Sequence, residues 1–181
     1  LNVGAGSFAT AVNYKVNSEP TSVISADFNG DGKMDLVSSN YNTTDVSVLL
    51  GNGNGTFTTA VNYVTDSQPT SLTFADFNGD NKLDIAACNA DVYNVSILLG
   101  SGLGSFATPI NFPLNSYPSF IIADDFNGDG KVDLSVASSI SDSVTILLNT
   151  TLVPASALNF DGTGLGNKVI LPSAINTVFS N

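Results

Sequence analysis

The chain has no histidine, no tryptophan and a single cysteine in 181 residues, and five basic residues against 16 acidic ones. With no histidine, a single cysteine expected to be buried and the carboxylates assigned to metal loops, no nucleophile and base pair is recognised, and no enzymatic activity is expected. Glycosidase chemistry would need a dedicated carboxylate pair, whereas the acids here recur in turns. The absence of tryptophan leaves only a weak aromatic platform for sugars. Cys88 excludes an internal disulfide. Its counterparts one period away, Ser39 and Ala137, mark a buried small-residue position, and no basic residue lies nearby in sequence to activate the thiol. The five cations, Lys15, Lys33, Lys82, Lys131 and Lys168, form no patch, and nucleic acid is not an expected partner. No run of about 18 apolar residues is present, so no membrane span is expected. The opening LNVGAGSF has neither a basic region nor an apolar leader run. It begins partway through a repeat, which suggests a mature or excised segment with any export signal upstream.

What the chain has is repetition. DFNGDGKMD starts at Asp27, DFNGDNKLD at Asp76 and DFNGDGKVD at Asp125, each 49 residues after the last. The register extends beyond these phrases. Gly6-Ser7-Phe8 returns as Gly55-Thr56-Phe57 and Gly104-Ser105-Phe106. Val12-Asn13-Tyr14 returns as Val61-Asn62-Tyr63 and, more loosely, Ile110-Asn111-Phe112. The apolar endings Val48-Leu49-Leu50, Ile97-Leu98-Leu99 and Ile146-Leu147-Leu148 keep step. A fixed period of this size means one supersecondary unit copied in tandem, each copy burying its apolar face on its neighbours.

Helical periodicity is absent, and Val, Ile, Thr, Phe and Tyr fill the apolar runs between Gly, Asn and Asp turns. Each period reads as four short strands, in the first repeat about Thr21–Phe28, Met34–Asn40, Val46–Leu50 and Phe57–Val64, with Pro20, Pro69 and Pro118 just before the first strand. The fold class is therefore all-β, built of tandem four-stranded antiparallel units, about three repeats of 49 residues, with a short C-terminal β tail. The Gly-rich GNGNGTF at Gly51 and GSGLGSF at Gly100 resemble phosphate loops only superficially, because a strand follows where a dinucleotide site needs a helix. Tight turns explain their glycines.

Nine of the 16 acids sit in the three repeated phrases. Scattered surface acids would show no such spacing. Asp, Asn, Asp and Asp at positions 1, 3, 5 and 9, with Gly or Asn at position 6 for a left-handed turn, offer the hard oxygen ligands that calcium favours. The expected ligands are Asp27, Asn29, Asp31 and Asp35 with the carbonyl of Lys33; Asp76, Asn78, Asp80 and Asp84 with that of Lys82; and Asp125, Asn127, Asp129 and Asp133 with that of Lys131. An EF-hand would carry Glu at position 12, where Ser38, Ala87 and Val136 stand. Magnesium fits less well, since it prefers a rigid octahedron rich in water. The alternative is a set of Asx-stabilised turns without metal; carboxylates crowded into one turn repel one another, which favours the cation, about three Ca2+ in all.

The string ADFNGDGKMDLVSSN followed by VSVLLGNGNGTF resembles the FG-GAP repeat, also called the VCBS type, over about residues 1–149. The resemblance implies β-propeller-type blades of the integrin α-chain kind, with calcium in the hairpin between the first two strands of each blade. It implies an extracellular or cell-surface location and a structural or adhesive role. Asp124, where the other repeats have Ala26 and Ala75, departs from the pattern and reads as a surface charge.

The expected division is 1–18 as the final strand or strands of a preceding or partner blade, 19–66 as blade 1, 67–115 as blade 2, 116–150 as blade 3 without its fourth strand, and 151–181 as linker and tail. ALNFDGTGLGNKVILP in the tail resembles the start of a laminin-G-like or concanavalin-like jelly roll. The missing last strand and surplus first one suggest three arrangements: a piece of a longer propeller, copies joined head to tail into rings or filaments by strand complementation, or a linear rod. The rival function is a carbohydrate-binding module with Tyr41 and Tyr93 as its exposed rings. Partners are thus other copies, another protein or a glycan. Asn42, Asn54, Asn94 and Asn149 open Asn-X-Ser/Thr sequences and are candidate glycosylation sites.

Overall fold

The computed structural model describes residues 6–151. Among these described residues, eleven strands form three antiparallel sheets. Blade 1 holds β1 (Pro20–Ala26), β2 (Asp35–Asn40), β3 (Asp45–Leu49) and β4 (Val61–Val64) in that order. Blade 2 repeats it with β5 (Pro69–Ala75), β6 (Asp84–Asn89), β7 (Asn94–Leu98) and β8 (Ile110–Pro113). Blade 3 has β9 (Pro118–Asp124), β10 (Asp133–Ser138) and β11 (Ser143–Leu147), a three-stranded sheet among the described residues. The all-β repeat architecture read from the sequence is what the structure has. No helix among the described residues is long and apolar enough to cross a membrane.

Strand limits differ from expectation in two ways. Pro20, Pro69 and Pro118 are the first residues of β1, β5 and β9 rather than precursors; a strand's first position tolerates the missing donor. The fourth strand is shorter, starting at Val61 and not Phe57. Phe57 instead bridges back to Gly51, with Asn52 N–H on the Thr56 carbonyl and Thr58 N–H on the Leu50 carbonyl, so that stretch closes a tight loop before the strand begins.

The sheets stack through alternating faces, as the period of two in a strand requires. Phe28, Val37, Val46 and Val48 of blade 1 pack on Leu72, Ile85, Ala87 and Leu98 of blade 2. The opposite face of blade 2, with Phe77, Ala86, Cys88, Val95 and Ile97, packs on Ile121, Leu134 and Val136 of blade 3. Every residue of β6 and β7 is consequently buried. Polar ties repeat between the leading strands: the Thr21 hydroxyl donates to the Pro69 carbonyl at 3.2 Å, and that of Thr70 to the Pro118 carbonyl at 3.3 Å.

Residues 6–18 contain no strand. They nonetheless take the side-chain position of a preceding blade's last strand: Tyr14 meets Phe57 edge to face at 5.3 Å, as Tyr63 one period later meets Phe106 at 5.3 Å. Asn17 also donates to Asp45 at 2.7 Å. The jelly-roll resemblance falls outside the described residues.

Candidate metal loops and their buried aspartates

The three acidic phrases form the connections β1–β2, β5–β6 and β9–β10 and share one geometry. Asp27 accepts from the amides of Gly30 (2.8 Å), Asp31 (3.1 Å) and Gly32 (2.7 Å). Asn29 Oδ1 accepts from Asp31 N–H, and Asp31 Oδ1 from Lys33 N–H, both at 3.0 Å. Asp76, Asn78 and Asp80 repeat these bonds, as do Asp125, Asn127 and Asp129. The left-handed turn expected at the sixth position is present, at φ 79° in Gly32, 63° in Asn81 and 81° in Gly130.

Each loop carries its own countercharge. Lys33 Nζ lies 3.0 Å from Asp31 Oδ2, Lys82 3.3 Å from Asp80, and Lys131 3.9 Å from Asp129. The Lys33 ammonium holds the Asp31 carboxyl below its ordinary range despite some desolvation. For Asp80, desolvation pushes upward but is outweighed by the amide and ammonium of Lys82 and by Asn78. Asp125 is lowered chiefly by the Gly130 amide.

The aspartate at position 9 does something different. Asp35, Asp84 and Asp133 are fully buried. Asp35 Oδ2 accepts from Phe28 N–H at 3.0 Å and Oδ1 from Gly51 N–H at 2.8 Å. Asp84 joins Phe77 (3.0 Å) to Gly100 (2.8 Å), and Asp133 joins Phe126 (3.1 Å) to Asn149 (2.7 Å). Each carboxylate thus pins the start of its loop to the turn after the third strand, 16 residues on. The reading of these residues as ligands alone missed this role; the signal was the fixed distance from the Asp to the residue after each apolar ending. A Cβ on Gly51 or Gly100 would lie 2.1 Å from a backbone carbonyl oxygen, so glycine is required at both turns.

Burial raises the Asp84 pKa, against the opposing pull of the Gly100 and Phe77 amides. The folded chain therefore holds that proton to higher pH than the unfolded chain, and ionising Asp84 subtracts stability as pH rises from 3.8 through the raised value.

Four side-chain oxygens and a carbonyl per loop are the donor chemistry of a hard cation and offer nothing to a nitrogen- or sulfur-seeking one. Asp27, Asn29 and Asp31 of the expected set share the exposed loop, while Asp35 sits behind it under two amides. Among the described residues no three acidic, Cys or His side chains are gathered as a cation cage; amides and a lysine close each loop.

The remaining candidates separate by environment. Asn42 and Asn54 are exposed. Asn94 is buried with its amide nitrogen donated to Asp66 at 2.8 Å, and Asn149 donates its own to the carbonyls of Phe77 and Val132. In the folded chain both amide nitrogens are thus engaged in hydrogen bonds. Tyr93 is exposed, as expected, and meets Tyr117 edge to face at 6.3 Å. Burial, then a hydrogen bond with Tyr41, raises the Tyr117 hydroxyl, so Tyr41 belongs to the same cluster. Cys88 is buried, which pushes its thiol up to about 12.

A family model described as an FG-GAP-like repeat matches residues 27–87 and again residues 78–136, each match running from one acidic loop into the second strand of the next blade. No curated protein matches the chain.

Replacing Asp84 by Asn leaves one acceptor for two buried amides. We expect Asp84→Asn to cost about 1–3 kcal/mol by urea denaturation, and exposed Asp142→Asn to stay within about 0.5 kcal/mol.

Proposed function

Given that the chain belongs to the FG-GAP-like repeat family, with more than half its length inside matched repeats, we propose that it is a calcium-ordered structural and adhesive module of the cell exterior. The observation that carries the reading is the threefold all-oxygen loop, with Asp27, Asn29 and Asp31 and their counterparts held by backbone amides. Calcium would be held by Asp27, Asn29, Asp31 and the Lys33 carbonyl, by Asp76, Asn78, Asp80 and the Lys82 carbonyl, and by Asp125, Asn127, Asp129 and the Lys131 carbonyl, with Asp35, Asp84 and Asp133 anchoring each loop from behind. Bound there, it supplies the charge that lets several carboxylates share one short loop. Extracellular modules bind calcium with dissociation constants of about 10⁻⁴–10⁻³ M, matched to a millimolar environment.

The absent histidine and the burial of the one thiol support a non-catalytic role. The tyrosine cluster favours sugar binding less than its exposure suggests, because Tyr93 and Tyr117 meet at 63° and present no flat platform.

Self-association belongs to the same reading. Phe120, Ile122, Val144 and Ile146 lie on the outward face of blade 3 and are exposed. The equivalent face of blade 2, with Ser71, Thr73, Val95 and Ile97, is covered by blade 3. Stacking on this face is favoured over donation of the N-terminal strand, since Tyr14 and Asn17 are already engaged with blade 1.

Thermal unfolding should rise with calcium, by about 2.7 kcal/mol per site at a hundredfold excess over the dissociation constant, and the rise should vanish in Asp27→Ala/Asp76→Ala/Asp125→Ala. A midpoint indifferent to millimolar calcium and to chelator refutes the calcium reading. Light scattering should show oligomers that Phe120→Ser/Ile122→Thr, the blade 2 residues, reduces to monomers; a wild-type monomer refutes the association.

A further inference from the structure

One position of the repeat is polar, buried and incomplete in all three blades. Asn40, Asn89 and Ser138 close β2, β6 and β10, each 49 residues from the next. Asn40 and Asn89 are wholly buried, and Ser138 is 3% exposed. The Asn40 amide nitrogen donates to Asp45 Oδ1 at 2.7 Å and to Ser47 Oγ at 2.9 Å. That of Asn89 donates to Asn94 Oδ1 at 2.6 Å and to Ser96 Oγ at 2.7 Å. Both protons of each amide are thereby spent. Among the described residues, Asn40 Oδ1, Asn89 Oδ1 and Ser138 Oγ are the buried side-chain oxygens that have no hydrogen-bond partner.

The ladder explains the deficit. These three residues pair with Pro20, Pro69 and Pro118, the first residues of β1, β5 and β9. Proline has no N–H, so the oxygens opposite gain no donor from it, and the strand register shifts beside each pair. In blades 1 and 2 the incoming connection then crosses the end of the second strand. Tyr41 N–H donates to the Glu19 carbonyl and Ala90 N–H to the Gln68 carbonyl, both at 2.9 Å. Glu19 and Gln68 sit in the left-handed region at φ 53° and 57°, which non-glycine residues rarely adopt. In the other direction the hydrogen bonds lead to the surface. Ser47 donates to Asn62 Oδ1 at 2.8 Å and Ser96 to Asn111 Oδ1 at 2.7 Å, and both receiving asparagines are exposed. Asn40 and Asn89 are the inner ends of polar rows that cross three strands.

We propose that each blade binds one internal water molecule at this position, donating to Oδ1 of Asn40 and of Asn89 and hydrogen-bonded to the Ser138 hydroxyl. The ligand has to be a donor at the two asparagines, because an amide oxygen only accepts. A cation fits worse. Asp45, the carboxylate bonded to Asn40, already accepts protons from Asn40, Thr43 and Asn17, and blade 2 has the neutral Asn94 in its place. Internal waters typically make about three hydrogen bonds to buried polar groups that lack other partners. Here the water steadies the end of the second strand, where the ladder is short of a donor.

Ser138→Ala in the full-length chain separates the alternatives by sign. Removing a buried hydroxyl that bonds nothing relieves the chain of an unpaired polar group and raises the urea midpoint. Removing one that holds a water takes away a partner and lowers it. A lower midpoint is expected, and an equal or higher one overturns the proposal. Oxygen-17 relaxation dispersion, which counts long-lived waters, should find at least three in the unsubstituted chain, one for each orphaned oxygen, and one fewer in Ser138→Ala. Fewer than three, or the same count in both chains, overturns it even where the midpoint falls. Neither readout involves a cation, so both stand apart from the calcium reading.

Discussion

A buried aspartate carboxylate shared by two backbone amides is the constraint on which each blade depends. Asp35, Asp84 and Asp133 are removed from water, and a charge so placed is tolerated only where hydrogen bonds compensate its lost hydration. Each meets that need with amides from two segments far apart in sequence, the entrance of the acidic loop and the turn leaving the third strand. The carboxylate fixes one against the other. The loop then projects its remaining acids outward from a rigid base, and the turn launches the chain toward the outer strand. The buried tie and the exposed acids come from the same phrase.

Stacking supplies the rest. Alternate residues of each strand face opposite neighbours, so a blade flanked on both sides is buried throughout, as β6 and β7 are. The residues that fill the contact between blades 2 and 3 have counterparts on the outer face of blade 3, where Phe120 and Val144 lie open. The outward face of blade 3 is the one that the next unit of a longer array would cover. The acids of the loops between the first two strands of each blade lie outside these stacked faces.

Much of this was legible in the sequence because the repeat is exact in spacing. Three copies located the strands, the acidic loops and the left-handed sixth position, including Asn81. Less visible was anything that depends on one residue serving two segments. Asp35 reads as a ligand beside Asp31, and only the folded chain shows its oxygens turned to Phe28 and Gly51. The outer strand was overextended because Phe57 looks like strand sequence, whereas its bridge to Gly51 closes a loop. Asn94 and Asn149 match a surface modification pattern, and only the folded chain shows their amide nitrogens donating to Asp66 and to the carbonyls of Phe77 and Val132. Tyr117 gave no sign of joining Tyr41 and Tyr93, since that cluster forms between blades.

The account centres on the aspartate that ties loop to turn, and the most direct measurement is residue-resolved amide hydrogen exchange at Phe28, Phe77, Phe126, Gly51, Gly100 and Asn149. If these carboxylates pin the blades, the six amides exchange as slowly as those of the central strands, although they lie in loops and turns. Exchange at the rate of the exposed loop amides Gly30, Gly79 and Gly128 would contradict it.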